Sequence, residues 1–189
     1  MLMVADDPVG VEAELKAGRL SCPACGGRLA PWGWGRRRWL RTLQGTRRLR
    51  VRRACCRSCR ATHLLLPTSA LVRRLDAVDV VGAALLANVA GQGRRSIAAH
   101  LHVPPSTVRN WLRRAGAEAE RIRSEATRWA AHANPQLERI EPQGSPLADA
   151  LHALGLAADA LTRRLGLPYS AWHIVSAITA GRLLSHCPP

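Results

Sequence analysis

Two pairs of cysteines are the residues of this 189-residue chain whose spacing predicts a defined chemistry. Cys22 and Cys25 form one CxxC pair, Cys56 and Cys59 form a second, and a long arginine-rich interval separates them. Each pair can present two thiolates from one tight turn, and four thiolates complete a tetrahedral site for Zn²⁺. A closed site of this kind leaves no position for a substrate, so the predicted role of the zinc is structural.

Two neighbouring residues compete with these four for the metal. Cys55 would leave a three-residue spacer before Cys59, which fits a zinc-binding turn less well than the two-residue spacer of Cys56. His63 could replace a thiolate, although a strand residue is the favoured interpretation of its position. A set of reduced, metal-free thiols is the alternative to a metal site, and the paired spacing argues against it.

The charge of the chain indicates an anionic partner. The formal net charge is +15, the calculated pI is about 11.5, and no Asp or Glu occurs between Leu15 and Leu75. A stretch of one sign repels itself unless an anion lies against it, so we expect contact with nucleic acid. Every basic residue except Lys16 is arginine, which suits phosphate recognition but could equally reflect codon choice in a GC-rich genome.

No targeting or membrane segment is expected. The N-terminal residues include Asp6 and Asp7 without an apolar run, and the longest apolar stretch, residues 80–90, is too short to span a bilayer. Paired CxxC turns in a basic chain suit a reducing compartment. We therefore expect a soluble, cytoplasmic, nucleoid-associated protein with no membrane partner.

Residues 19–68 are predicted to form a zinc ribbon, preceded by an acidic lead-in at residues 1–18. Charged and apolar residues alternate over residues 48–52, a pattern typical of a half-buried strand, and this strand leads into the second cysteine pair. Three tryptophans of the preceding strand are expected to fill the small core rather than to stack on bases. They are Trp32, Trp34 and Trp39. The ribbon residues predicted to hold DNA phosphates are Arg47, Arg48, Arg50 and Arg52.

Residues 69–133 are predicted to form a helix-turn-helix DNA-binding domain. A short first helix contains Ala98, whose small side chain lets two helices cross closely. A turn follows at His102, the position where such motifs usually have glycine, and histidine tolerates positive φ better than most residues. Ser106 can cap the second helix. An ordinary helical hairpin with a basic rim is the alternative interpretation.

The outer face of the second helix is polar and basic, whereas its predicted inner face contains Val108, Trp111 and Leu112. A helix of this kind can enter the major groove, where arginine reads guanine and asparagine reads adenine. The residues of this helix predicted to contact DNA are Ser106, Thr107, Arg109, Asn110, Arg113 and Arg114.

Residues 134–189 are predicted to contain a linker and a C-terminal helical hairpin, with helices at residues 147–165 and 169–184. The apolar faces of these helices need cover, so they either fold back on the helix-turn-helix or form a homodimer with a second copy. Cys187 is expected to be a free surface thiol. The predicted fold class is therefore mostly α with a small β zinc ribbon, followed by a helix-turn-helix bundle and the hairpin.

Five short motifs resemble a family of uncharacterised actinobacterial proteins. The motifs are Cys22-Pro-Ala-Cys-Gly-Gly, Pro31-Trp-Gly, Arg50-Val-Arg-Arg, Cys56-Arg-Ser-Cys59 and Thr62-His-Leu-Leu-Leu-Pro67. Members of that family look like the N-terminal zinc ribbon and helix-turn-helix of insertion-sequence transposases, with no catalytic domain behind them. The resemblance covers about the first two-thirds of the chain and implies DNA binding by a transposon accessory or remnant.

The favoured hypothesis is a zinc-containing protein that binds double-stranded DNA sequence-specifically, either transposase-derived, transposon-associated or a transcriptional regulator. It is not expected to be an enzyme, because phosphoryl transfer needs clustered carboxylates and none occurs between Asp79 and Glu118. RNA is less suited, because a groove-reading helix does not fit the narrow grooves of A-form RNA. The alternatives are a zinc-ribbon module that binds polymerase or another protein, and part of a transposase that acts with a separate catalytic subunit.

Overall fold

The computed structural model describes residues 1–166 and 168–185, so Cys187 and its predicted surface thiol lie outside the described residues. The chain divides into two compact units, Met1–Ala77 (unit 1) and Val78–Pro189 (unit 2). Over the described residues it contains seven helices and one four-stranded sheet, a mixed α/β composition. The acidic lead-in and the predicted ribbon together lie in unit 1.

Unit 1 is built on the four-stranded sheet, with one helix packed against it. The strands occur in the order β1-β4-β3-β2; β1 pairs parallel with β4, and the other neighbours pair antiparallel. The elements of unit 1 are β1 (Leu2–Val4), α1 (Pro8–Lys16), β2 (Leu29–Thr42), β3 (Gly45–Cys56) and β4 (Thr62–Pro67).

The β2–β3 hairpin confirms the strand predicted from alternation. Leu49 and Val51 are buried, whereas the alternating residues Arg48 and Arg50 are exposed, because successive side chains of a strand point to opposite faces. The hairpin turn requires Gly45, whose φ of +125° is accessible only to glycine without strain. Antiparallel pairing therefore brings the arginine-rich parts of β2 and β3 side by side.

Helix α1 lies within the predicted acidic lead-in and packs against the sheet. It begins at Pro8, and the side chain of the cap residue Asp7 accepts a hydrogen bond of 3.1 Å from the backbone N–H of Val9. Val11 and Leu15 are buried in the core of unit 1. The acidic lead-in is thus an integral part of the sheet domain.

The expectation that the tryptophans fill the ribbon core is wrong. Trp32, Trp34 and Trp39 are 53%, 44% and 56% exposed. The core is instead filled by aliphatic and cysteine side chains from α1, the first cysteine turn, the start of β2, and strands β3 and β4. Its members are Val11, Leu15, Cys22, Leu29, Ala54, Cys56 and Leu65.

Unit 2 is helical throughout its described elements. These are α2 (Val78–Val89), α3 (Arg94–His100), α4 (Pro105–Ala117), α5 (Ala119–Ala133), α6 (Pro146–Leu165) and α7 (Ala171–Ile178). Helices α2, α3 and α4 contact one another, and α7 packs against α2 and α6. Leu86 and Val89 of α2 are exposed.

Helix α6 packs most extensively along α5, and the two helices run in the same direction. The pKa of Arg123, near the start of α5, is raised by Glu120 and more weakly by the carboxylate of Asp149, near the start of α6. At the other end, Arg164 of α6 donates to the carbonyl of His132 in α5. The apolar face of α6 is therefore covered by a parallel neighbour in addition to α7. The homodimer through the C-terminal helices stays a prediction.

In the described ranges, no helix combines the length and the apolar character needed to cross a bilayer.

Candidate metal centre and nucleic-acid interface

The four predicted ligand cysteines converge on one point of unit 1. The sulfurs of Cys22 and Cys59 are 3.7 Å apart, those of Cys25 and Cys56 are 3.5 Å apart, and all four lie within 4.8 Å of one another. A tetrahedral site with Zn–S bonds of about 2.3 Å requires sulfurs about 3.8 Å apart. The four cysteines are therefore positioned to hold a metal ion.

The two cysteine turns have the same backbone shape. Gly26, which follows the first pair, has a φ of +73°, and Arg60, which follows the second pair, has a φ of +63°. In the first turn the N–H of Gly26 donates to the carbonyl of Cys22 at 2.8 Å. Gly27 lies so close to the second turn that a Cβ there would collide with the Ser58 side chain. Tight approach of the turns is what brings the sulfurs together.

Hydrogen bonds within the second turn favour the thiolate form of Cys56. The backbone N–H groups of Cys59 and Ser58 lower the pKa of the Cys56 thiol to about 6. The backbone N–H of Ala61 acts in the same direction on Cys59, but the hydrogen bond with Cys25 and burial outweigh it and raise the pKa of Cys59 to about 12. Negative charge therefore settles first on Cys56, and a cation at the centre of the cluster would favour ionisation of the others.

His63 lies in β4, as predicted, and contacts the cluster without belonging to it. Its Nε2 atom is 3.2 Å from the sulfur of Cys22, and the side chain is buried. Burial, assisted by the N-terminal ammonium group, lowers the pKa of His63. A neutral imidazole whose Nε2 carries the proton can donate to the Cys22 thiolate and orient it. Residue spacing does not predict this contact between His63 and Cys22.

Cys55 points away from the other sulfurs. Its thiol donates to the carbonyls of Arg60 and Cys56, at 3.5 and 3.6 Å. We predict that Cys55→Ser retains the bound metal, because serine can make the same hydrogen bonds and the four ligands are untouched. Metal content of the purified variant checks this expectation. Loss of the metal would show that the ligand set includes Cys55.

The four ribbon arginines predicted to hold phosphates fall into two groups. Arg47 pairs with Asp6 at 2.8 Å, and Arg52 pairs with Glu12 at 2.7 Å, so acids of the N-terminal segment neutralise both. The pKa of Glu12 is lowered, chiefly by its hydrogen bond from Arg52.

Arg48 and Arg50 have no acidic partner among residues 1–166 and 168–185. The guanidinium carbon of Arg48 lies 5.1 Å from the ring centre of Trp39, and that of Arg50 lies 5.5 Å from the ring centre of Trp34. These distances are in the range of cation–π contacts. The two exposed arginines therefore remain available for phosphates.

Helix α4 places the predicted base-reading residues on its solvent side. Arg109, Asn110, Arg113 and Arg114 are exposed, as is Ser106, while Thr107 is half-buried. The opposite side is buried through Val108, Trp111 and Ala115, and Leu112 is half-buried rather than fully inside.

The predicted cap of α4 is wrong. The helix begins at Pro105, with Pro104 in the cap position, and no side chain makes a capping hydrogen bond. Proline supplies a preset φ and needs no N–H partner at the first helical position, so it displaces Ser106 from the cap into the first turn. Ser106 remains on the exposed side of the helix.

The connection from α3 to α4 is a tight turn. His102 has a φ of +51°, in the left-handed region expected for the position that glycine usually occupies. The N–H of Val103 donates to the carbonyl of Ala98 at 3.0 Å, which closes the end of α3. Ala98 and Ile97 are buried, so α3 packs through small and apolar side chains.

Residues 22–111 match a family described as a domain of unknown function (DUF6431). The matched span begins at Cys22, the first cysteine of the cluster, and ends at Trp111, the buried tryptophan of α4. It covers a little under half of the chain, including all four cysteines of the cluster. Neither a curated protein nor a solved structure matches the chain. The resemblance to transposase N-terminal regions stays a prediction.

Proposed function

We propose that the protein is a zinc-containing, sequence-specific DNA-binding protein in which α3 and α4 act as a helix-turn-helix. The observation that carries the proposal is the electrostatic contrast between α4 and α5. In α5, Arg121 pairs with Glu118 at 2.7 Å and Arg123 pairs with Glu120 at 2.6 Å. In the described parts of the chain, no acidic side chain pairs with the arginines of α4.

The arrangement of α4 supports base reading. Ser106, Arg109, Asn110 and Arg113 occupy positions i, i+3, i+4 and i+7, so they form one stripe along the helix. The stripe contains the two side-chain types that make bidentate contacts with purines in the major groove, arginine with guanine and asparagine with adenine. Because the opposite side of α4 is buried, this stripe is the part that a groove can receive.

Exposed arginines outside α4 supply the contacts that position the protein. Phosphate contacts carry no sequence information, but they orient the reading element. Arg48 and Arg50, exposed and without acidic partners in the described ranges, suit this role better than Arg47 and Arg52, which are paired within unit 1.

Zinc is the metal that the site chemistry favours. Four thiolates are soft ligands, and a tetrahedral set of four suits Zn²⁺ or an iron–sulfur cluster rather than a hard cation. The separation of the sulfurs supports a single ion, and the zinc would cross-link the two turns without taking part in a reaction. Metal analysis of protein purified under reducing conditions should give one zinc per chain.

The proposal assigns a binding role to this chain rather than a catalytic one. Recruitment to a transposon or to regulated genes on the nucleoid is the biological setting that the resemblance favours. An enzymatic step, if one accompanies binding, would be supplied by a separate subunit.

Selection of bound fragments from random duplex DNA, with zinc-loaded full-length protein, tests the proposal. We expect one enriched motif, because discrimination by bidentate contacts accumulates over several rounds. Arg123→Ala, which changes an exposed, acid-paired arginine of α5, is the matched control and should enrich the same motif. If wild-type protein binds random fragments without enrichment, the sequence-reading role of α4 is wrong.

A further inference from the structure

The exposed tryptophans of unit 1 lie beside the arginines proposed to hold phosphates, and base reading by α4 does not use these rings. Trp39 pairs across the hairpin with Arg48, and Arg37 pairs with Arg50. Arg48 and Arg50 lie on one face of β3, since they are two residues apart. We name this surface the tryptophan–arginine face and define it by Trp34, Arg37, Trp39, Arg48 and Arg50.

We propose that the tryptophan–arginine face binds an unpaired strand of DNA, with bases stacked on Trp34 and Trp39 and phosphates held by the arginines. The choice of DNA over RNA rests on the proposed function. The stacking site itself does not depend on α4.

Trp34 and Trp39 stay exposed outside the core of unit 1, although arginines lie against both rings: Arg50 and Arg52 at Trp34, and Arg48 at Trp39. Large aromatic side chains usually supply core volume, yet the core of this unit is closed by Leu15, Leu29 and Leu65, which are almost fully buried. Trp39 keeps more than half of its surface in solvent even after its contact with Arg48. A ring face that stays open beside a guanidinium offers a stacking position to a planar, anionic partner.

The charges of the tryptophan–arginine face favour the binding of an anion. Arg37 and Arg50 are both exposed and directly opposite each other in the hairpin, and like charges in that position destabilise a sheet. No Asp or Glu occurs between Leu15 and Leu75 to separate them. A phosphate between the two guanidinium groups would remove the repulsion.

The spacing of the rings favours a single strand over a duplex. Trp34 and Trp39 lie opposite Arg52 and Arg48, four residues apart on β3, which places the two tryptophans about 14 Å apart along the hairpin. Stacked bases of a duplex repeat every 3.4 Å or so and keep their faces covered. An unpaired strand can spread its bases and expose them to both rings, as strands bound on sheet surfaces do.

Binding of a labelled oligothymidylate of about 16 nucleotides to zinc-loaded full-length protein tests the proposal. We expect quenching of tryptophan fluorescence in the wild-type protein, because base stacking on an indole quenches its emission. We expect Trp34→Leu and Trp39→Leu each to weaken binding by about 5- to 150-fold. Trp39→Tyr should restore most of the affinity, since tyrosine keeps a stacking ring.

Trp129→Leu is the matched control, because Trp129 is an exposed tryptophan of α5, 40% accessible, outside the face. It should bind the oligonucleotide like wild type. Binding of the selected duplex is measured in parallel for these tryptophan variants and for Asn110→Ala. This second measurement reports separately on base reading by α4. The leucine variants should bind that duplex normally.

Three outcomes would overturn the proposal. The first is equal weakening of single-strand and duplex binding by Trp34→Leu and Trp39→Leu. The second is a preference for oligouridylate over oligothymidylate, which would assign the face to RNA. The third is wild-type protein that binds no single strand and shows no quenching, which needs no variant and is therefore independent of any folding defect.

Discussion

Cys22→Ser and Cys59→Ser are each expected to release the metal and unfold unit 1, while the helices of unit 2 remain. The binding free energy of structural zinc, about 10–16 kcal/mol in small zinc domains at neutral pH, is folding free energy for a domain of this kind. Unit 1 has few other resources, because Cys22 and Cys56 are themselves members of its small apolar core. Removing a ligand therefore removes most of the stability of this unit.

Zinc content, far-ultraviolet circular dichroism and limited proteolysis measure this outcome. We expect zinc to fall well below one equivalent, helical signal to persist, and cleavage to concentrate in residues 1–77. Cys55→Ser is the matched control, since it removes a thiol adjacent to a ligand without changing the four sulfurs. A Cys59→Ser protein that kept a full equivalent of zinc and resisted the protease would contradict the assigned ligand set.

Arg109→Ala combined with Asn110→Ala is expected to abolish sequence preference while general DNA binding persists. Each bidentate base contact discriminates by about 1–3 kcal/mol, so the double variant should lose about 2–6 kcal/mol on the selected site. Random duplex, held through phosphates, should bind nearly as well as before. Titration of the double variant and of the wild-type protein with the selected duplex and with random duplex measures these affinities.

Arg50→Ala provides the contrast. Loss of a phosphate contact should weaken selected and random duplexes alike and reduce the slope of affinity against salt by about one unit. Arg123→Ala should change neither affinity, because that arginine already pairs with Glu120 at 2.6 Å. Equal losses on both duplexes for the Arg109 and Asn110 variant would show that α4 is not the reading element.

Local spacing was sufficient to predict which four cysteines come together, the strand leading into the second pair and the two sides of α4. The two-residue spacer in Cys56–Cys59 sets the shape of one turn, and period-two alternation in β3 separates Leu49 and Val51 from the arginines. Both signals are contained in a few consecutive residues. The burial of Val108 and Trp111 follows from helical periodicity in the same way.

Two predictions failed, one because a competing local rule applied and one because of packing between elements. Ser106 has the side chain of a helix cap, but consecutive prolines move the cap to Pro104 and start α4 two residues earlier. Trp34 and Trp39 of β2 have the volume of core residues, but Leu15, Leu29 and Leu65 close the core of unit 1, and both rings stay exposed. Periodicity identifies which residues share a face and is silent about what covers it.

The remaining features depend on contacts between residues far apart in sequence, and only the tertiary structure decided them. Arg47 and Arg52 are neutralised by Asp6 and Glu12, each about forty positions away in the chain. The arginines of β3, which look equivalent in the sequence, therefore fall into an acid-paired group and a group without acidic partners among the described residues. His63 meets Cys22 because β4 lies beside β3, and α6 runs parallel to α5 because residues 134–145 return along it. Residue spacing determined which side chains could bind a metal, hold an anion or pack in a core. The order of the strands and the directions of the helices determined which of these side chains meet, because no local pattern encodes the position of a distant element.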